Sequence, residues 1–221
     1  GKGQLCPNLD SSNSSIFFSP DGDNYPDTGG LLRIEAQYPQ KSLSKPHPGH
    51  KIFPYLLRSI DITRPNHVWG IDITYLALKG GFLYLVAILD WFSRYVLAWE
   101  LSNSLANDFC CAALRRALRK HGAPKILNSD QGCQFTAENF VDTILSAGAQ
   151  MSMDGRGRAL DNVFTERLWR TVKYEEIYIR DYDDGSAAFE HLHRYFKFYN
   201  HRRPHSSLAG ATPFAVYEAR A

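Results

Sequence analysis

Residues 68–101 read VWGIDITYLALKGGFLYLVAILDWFSRYVLAWEL, and the fold follows from how this stretch divides. Three β-rich runs, at 68–78, 82–90 and 94–101, are separated by KGG at 79–81 and by the turn that begins at Trp91. The connections are too short for a crossover, so the spacing predicts an antiparallel meander. One residue breaks the pattern. Asp72 stands mid-strand between Ile71 and Ile73, where a half-buried charge is costly unless it is paired or bound to a cation.

Downstream, strands and helices alternate. A helix is predicted over 106–121, with Phe109, Ala113, Leu114, Ala117 and Leu118 on one side and Gly122 and Pro124 as its stop. A short strand, 125–129, delivers Asp130 to the loop Gln131-Gly132, and Thr136 is expected to cap a helix over 137–147. A strand over 149–153 and the loop DGRGRAL then lead into DNVFTERLWRTVK, residues 161–173. A further helix is predicted over about 186–200, ahead of a closing loop and helical turn. The order β-β-β-α-β-α-β-α predicts an α/β fold, a mixed sheet with helices on both faces.

The 161–173 helix has two faces. At 100° per residue, Asn162, Glu166, Arg170 and Lys173 share one side, while Phe164, Leu168 and Val172 share the other. In isolation, Glu166 and Arg170 read as an ordinary i,i+4 ion pair on a solvated face. Asp72 and Asp130 change that reading. Asp130 closes its strand in SDQG, and strand ends are rigid and open to ligand. With Glu166 they form an Asp, Asp, Glu series that would converge from two strands and a helix. Carboxylate oxygens suit hard divalent ions such as Mg²⁺, and a pair of such ions roughly 3.5–4 Å apart supports in-line phosphoryl displacement. Phosphodiester chemistry is the reaction class that the three residues suggest.

Composition sets wider bounds. With 221 residues, 44% hydrophobic and 22% charged, the chain can build one substantial core. A net charge of +2 is too weak to argue for nucleic acid, although Arg115, Arg116, Arg119, Lys120 and Lys125 fall in one run without an acidic residue. Cys6, Cys110, Cys111 and Cys133 have no zinc-ligand spacing and read as reduced thiols of an intracellular protein. No apolar run is long enough for a membrane helix. Residues 1–30, rich in Gly, Ser, Pro, Asp and Asn, read as a disordered or non-native leader, and 31–63 as a basic, proline-punctuated arm. The chain opens on Gly1 without a signal peptide and reads as a piece of something longer.

Four segments together carry a resemblance: WGIDITYL at 69–76, NSDQGCQF at 128–135, SMDGRGRALDNVFTERLWRTVKYEEIY at 152–178, and YNHRRPHSSLAG at 199–210 followed by TP. From about Arg64 to Ala219 the chain resembles the catalytic half of a bacterial insertion-sequence transposase, of the large group whose core is similar to retroviral integrase. The resemblance implies a ribonuclease-H-like fold with a five-stranded mixed sheet, a catalytic core over 64–180 and a helical extension over 181–221. It implies metal-dependent DNA cleavage and strand transfer, with Asp72, Asp130 and Glu166 as ligands of Mg²⁺ or Mn²⁺, two ions per site. It also places Lys173 against transposon-end DNA, with Arg170 and Asn162 in positioning roles. Asn200, Arg202, Arg203 and His205 are expected near DNA or in a packed loop. Cys133 replaces the serine usual after DQG. Leu31–Ser44 looks like the tail of an upstream region whose helix-turn-helix segments are missing or encoded in an upstream frame. The implied setting is cytoplasmic, with DNA as partner and a homo-oligomer assembled on it. A remnant that only binds DNA or dimerises is the alternative, and a nuclease acting on RNA–DNA hybrids is a third reading.

Overall fold

The computed structural model describes the backbone at Phe17–Phe18 and residues 51–78, 81–155 and 162–219 in full. The remainder of the 1–30 leader and most of the 31–63 arm lie outside the described residues, as do Cys6 and Asp161.

Strands β2 (Val68–Leu78), β3 (Gly81–Asp90) and β4 (Val96–Ser102) form the expected antiparallel meander. Helix α1 (Asp108–His121) then crosses over to β5 (Ile126–Ser129), and α2 (Cys133–Thr136) with α3 (Glu138–Ser146) crosses to β6 (Gln150–Met153). Both β5 and β6 run parallel to β2. The five core strands lie in the order β4-β3-β2-β5-β6, so the strand that carries Asp72 is central. A two-residue strand, β1 (Phe17–Phe18), pairs antiparallel with Leu101–Ser102 on the free edge of β4. Part of the leader read as disordered is therefore paired to the sheet, covering an edge that would otherwise expose unpaired backbone groups.

Alternation along β2 and β3 divides the core between the two faces. Val68, Leu76, Leu83, Leu85 and Leu89 meet α4 (Val163–Val172) and α5 (Gly185–His201) through Leu168, Val172, Leu192 and Phe196. Trp69, Ile71, Val86 and Ile88 meet α1 and α3 through Phe109, Leu114, Phe140 and Ile144. Tyr217 of α6 (Pro213–Glu218) joins that second face. Among the described residues no helix is long and apolar enough to cross a membrane.

Three local readings change. Thr136 does not cap α3: it ends α2 and donates its hydroxyl to the Gly132 carbonyl at 3.1 Å, while Ala137 is the N-cap. Arg116 is no part of a solvated basic face, because it is buried against Glu100 and the Trp99 carbonyl. After α4 the chain continues as a π-helical turn, Lys173–Ile177, a widening that changes the angular phase of every later residue.

Candidate active site

Strand register brings the two aspartates together. Gly70 pairs with Asn128 in the parallel β2–β5 ladder. Two residues further on, Asp72 and Asp130 stand level, on the same side of neighbouring strands about 4.8 Å apart. The next ladder repeats the step, since Asn128 pairs with Ser152, and Asp154 therefore stands level with Asp130 just past β6. Three carboxylates form a row that runs from the middle of β2 to the ends of β5 and β6. Asp154 was not singled out in the sequence; its position two residues beyond Ser152 is the signal, and it needs the register to be read.

Each carboxylate is held differently. Asp72 accepts the Trp169 indole N–H on Oδ2 at 2.9 Å and the Ile73 backbone N–H on Oδ1 at 2.8 Å. Asp130 accepts the Gly132 N–H at 2.9 Å. A Cβ on Gly132 would lie 2.9 Å from that same oxygen, so a side chain there would crowd the Asp130 carboxylate. Asp154 accepts from the Asn128 amide at 2.7 Å, and Asn128 in turn accepts the Ser152 hydroxyl at 2.8 Å. Leu56 of the arm donates its backbone N–H to Ser152 at 3.1 Å, tying the described end of the arm to the strand beneath the site.

The electrostatics follow from this crowding. Burial, reinforced by Asp130 and more weakly by Asp154, pushes the Asp72 carboxyl up to about 7, against the pull of its two hydrogen bonds. Desolvation also raises Asp130, with the Gly132 N–H pulling the other way.

Helix α4 is fixed against β2 at two points. Thr165 Oγ1 lies where a Cβ on Gly70 would come within 2.7 Å, and Trp91 Nε1 within 2.2 Å. Gly70 of WGID is thus the groove into which α4 and the β3–β4 turn close. One turn further along α4, Trp169 reaches Asp72. Glu166 sits between Thr165 and Trp169 in sequence, and its side chain is exposed. Among the described residues no three His, Cys, Asp or Glu side chains group closely enough to hold a metal ion, so Glu166 does not join Asp72 and Asp130 in a closed three-ligand set. The two aspartates do present oxygen donors only, crowded and partly desolvated, and that donor set fits a hard divalent cation.

The polar stripe of the helix splits. Lys173 places Nζ 5.3 Å from the Tyr75 ring centroid. Arg170 lines a cleft on the other flank of α4, and no ion pair joins it to Glu166 among the described residues. Asn162 is buried at the N-cap of α4, its Oδ1 without a hydrogen-bond partner among the described residues. Arg202 is exposed just past α5.

The YNHRRPH segment is largely a clasp. Asn200 is buried and brackets Val96, accepting its N–H and donating to its carbonyl, both at 2.9 Å. These two bonds give Asn200 a structural role, tying the end of α5 to β4. Arg203 forks onto Glu175 at 2.7 and 2.5 Å, and Tyr195 donates to the same carboxylate at 3.0 Å. Arg203 holds that carboxyl below its ordinary range. His205 lies 3.2 Å from both the Tyr199 and Ser207 hydroxyls. Asp90 is structural, taking Ser93 and Asn66 on its two oxygens.

Comparison with known proteins places the fold and the family. Two family descriptions, each of an integrase core domain, match residues 62–159 and 147–213. The transposase for insertion sequence element IS904 of Lactococcus lactis is 33% identical over 175 residues, covering 78% of this chain and 66% of the relative. An uncharacterized transposase-like protein of Haemophilus influenzae is 31% identical over 166 residues, covering 75% of this chain and 77% of its own length. The chain thus spans a little under two thirds of the first of these relatives. Among solved structures, the HTLV-2 integrase catalytic core domain in complex with magnesium superposes with a TM-score of 0.58 at 20% identity, over 70% of this chain and 97% of that one. The mixed sheet is therefore the ribonuclease-H-like sheet of the integrase core.

Proposed function

The chain belongs to the integrase-core transposases of bacterial insertion sequences, and we propose that it is the catalytic half of such an enzyme, cutting DNA at insertion-sequence ends and joining the freed 3′ hydroxyl to target DNA. The carrying observation is the side-by-side placement of Asp72, within β2, and Asp130, at the end of neighbouring β5, with burial raising both carboxyls.

Asp72 and Asp130 would hold Mg²⁺ or Mn²⁺, with Glu166 as the third ligand and two ions per site. Such ions supply positive charge that activates an attacking oxygen and offsets charge on the leaving oxygen. The protein's own groups prepare the site. Trp169 orients the Asp72 carboxylate through Oδ2 and the Gly132 N–H fixes Asp130, and a bound cation would favour the ionised form of Asp72. Lys173, Arg170, Arg202 and Arg203 would position DNA by its phosphates, with Asn162 ordering the entry to α4; such contacts set register without reading sequence. Arg203 does so while anchored on Glu175.

DNA is the proposed partner, with the chain acting as a homo-oligomer in the cytoplasm and an upstream-frame protein supplying the helix-turn-helix. The test is strand transfer: a duplex ending in a recessed 3′ hydroxyl, incubated with plasmid and Mn²⁺, should yield joined product that a chelator abolishes. Cleavage of an RNA–DNA hybrid in place of DNA would overturn the assignment.

A further inference from the structure

On the flank of α4 away from Asp72 lies a cleft of about 510 Å³ into which guanidinium groups converge. Arg94 comes from the β3–β4 turn, Arg167 and Arg170 from positions three residues apart on α4, and Arg203 from the loop after α5. Phe164 and Tyr174 add aromatic surface, Tyr174 being 67% exposed. Glu175 is the cleft's carboxylate, and it is already forked by Arg203. Arg94, Arg167 and Arg170 have no carboxylate partner within hydrogen-bonding distance among the described residues.

Arg94 shows that the cleft is built. Its backbone adopts φ 63°, a left-handed conformation that costs a non-glycine residue about 1–2 kcal/mol. Its guanidinium lies over the Phe164 ring, 3.7 Å from the centroid. A stacked guanidinium still presents its in-plane N–H groups, the geometry that forks onto phosphate. Asp90 is the nearby acid, but its oxygens are taken by Ser93 and Asn66. Burial pushes Arg94 down to about 10, opposed by Tyr199 and Asp90, with Arg167 adding a smaller push in the same direction as burial.

We propose that this cleft is a second phosphate-binding site, taking the backbone of one unpaired DNA strand beside the carboxylate site. The proposal rests on the reading that the chain acts on DNA. A cleft of this volume admits a nucleotide and its phosphates but not a duplex, and exposed Tyr174 offers a face for an unstacked base. Arg170 borders both the cleft and the face that carries Glu166, so the strand leads from one to the other.

The test is fluorescence anisotropy with a labelled single-stranded oligonucleotide and its duplex, in EDTA so that metal chemistry plays no part. Arg94→Gln and Arg167→Gln should each weaken single-strand binding about tenfold and lower the salt slope by about 0.7. The duplex should lose less. Arg115→Gln, an equal charge change on exposed α1, should leave both unchanged. Arg167 is exposed, so its variant keeps the test valid if Arg94→Gln fails to fold. Unchanged single-strand affinity and slope in Arg167→Gln, an equal loss in Arg115→Gln, or no single-strand binding by the parent chain would overturn the proposal. Strand transfer in Mn²⁺ is read separately: its absence beside groove-dependent single-strand binding sinks the catalytic reading and leaves the cleft standing.

Discussion

Trp169 donates its indole N–H to Asp72 Oδ2 at 2.9 Å, and this bond joins α4 to the central strand at the carboxylate row. Both partners are needed for the site to hold its shape, because Trp169 is also buried among the residues that pack α4 on the sheet. Trp169→Phe keeps most of the packing and removes the donor. It should cost about 1–2 kcal/mol in denaturant unfolding. It should also raise the Asp72 pKa further, read by carboxyl-carbon NMR, and slow DNA nicking by about tenfold or more.

The pH dependence of the metal-free protein should carry the sign of Asp72. Its folded pKa, about 7, lies above the unfolded carboxylate value, so the folded state binds the extra proton. That contribution is complete below about pH 4 and is lost as pH rises through about 7. Thermal melts in EDTA should fall across this window, and added Mg²⁺ should restore stability most at the alkaline end. Asp154→Asn, by removing one of the charges that raise Asp72, should flatten the dependence.

Gly70→Ala should be among the most damaging small substitutions in the chain. The added Cβ would meet Trp91 Nε1 at 2.2 Å and Thr165 Oγ1 at 2.7 Å, both on elements pinned by their own packing. A loss of roughly 1–3 kcal/mol is expected, with α4 displaced from β2. Equilibrium unfolding measures the first, and reduced Trp169 protection in hydrogen exchange reports the second.

The clasp around Glu175 separates stability from chemistry. Glu175→Gln removes the charge that Arg203 forks, and the half-exposed pair should cost only about 0.5–1 kcal/mol. Because Arg203 lowers the Glu175 pKa, the contribution is present above the unfolded pKa and is lost as pH falls through the folded one. Divalent-ion affinity, measured by calorimetry, should not change.

The strands were readable because their side chains alternate: Trp69, Ile71, Val86 and Ile88 on one face, Val68, Leu83 and Leu85 on the other. Asp72 and Asp130 stood out because each carboxylate sits where a strand or strand end has no structural use for it. Asp154 and Trp169 did not, since their meaning depends on the β5–β6 register and on how α4 rotates against β2, neither of which is local. For Asn200 the sequence left DNA contact and a packed loop both open, because the strand it brackets lies 104 residues away. The Glu166–Arg170 pair expected of an isolated helix is absent among the described residues because Arg170 turns into the cleft shared with Arg94 and Arg203.

The central claim is that Asp72, Asp130 and Glu166 act together as the metal-holding carboxylates of a DNA-cutting site. The most direct measurement is the initial rate of nicking of insertion-sequence-end DNA in Mn²⁺ by the parent chain and by folded Asp72→Asn, Asp130→Asn and Glu166→Gln. The account predicts a loss of at least about a hundredfold in each. Nicking retained at the parent rate by all three variants would contradict it.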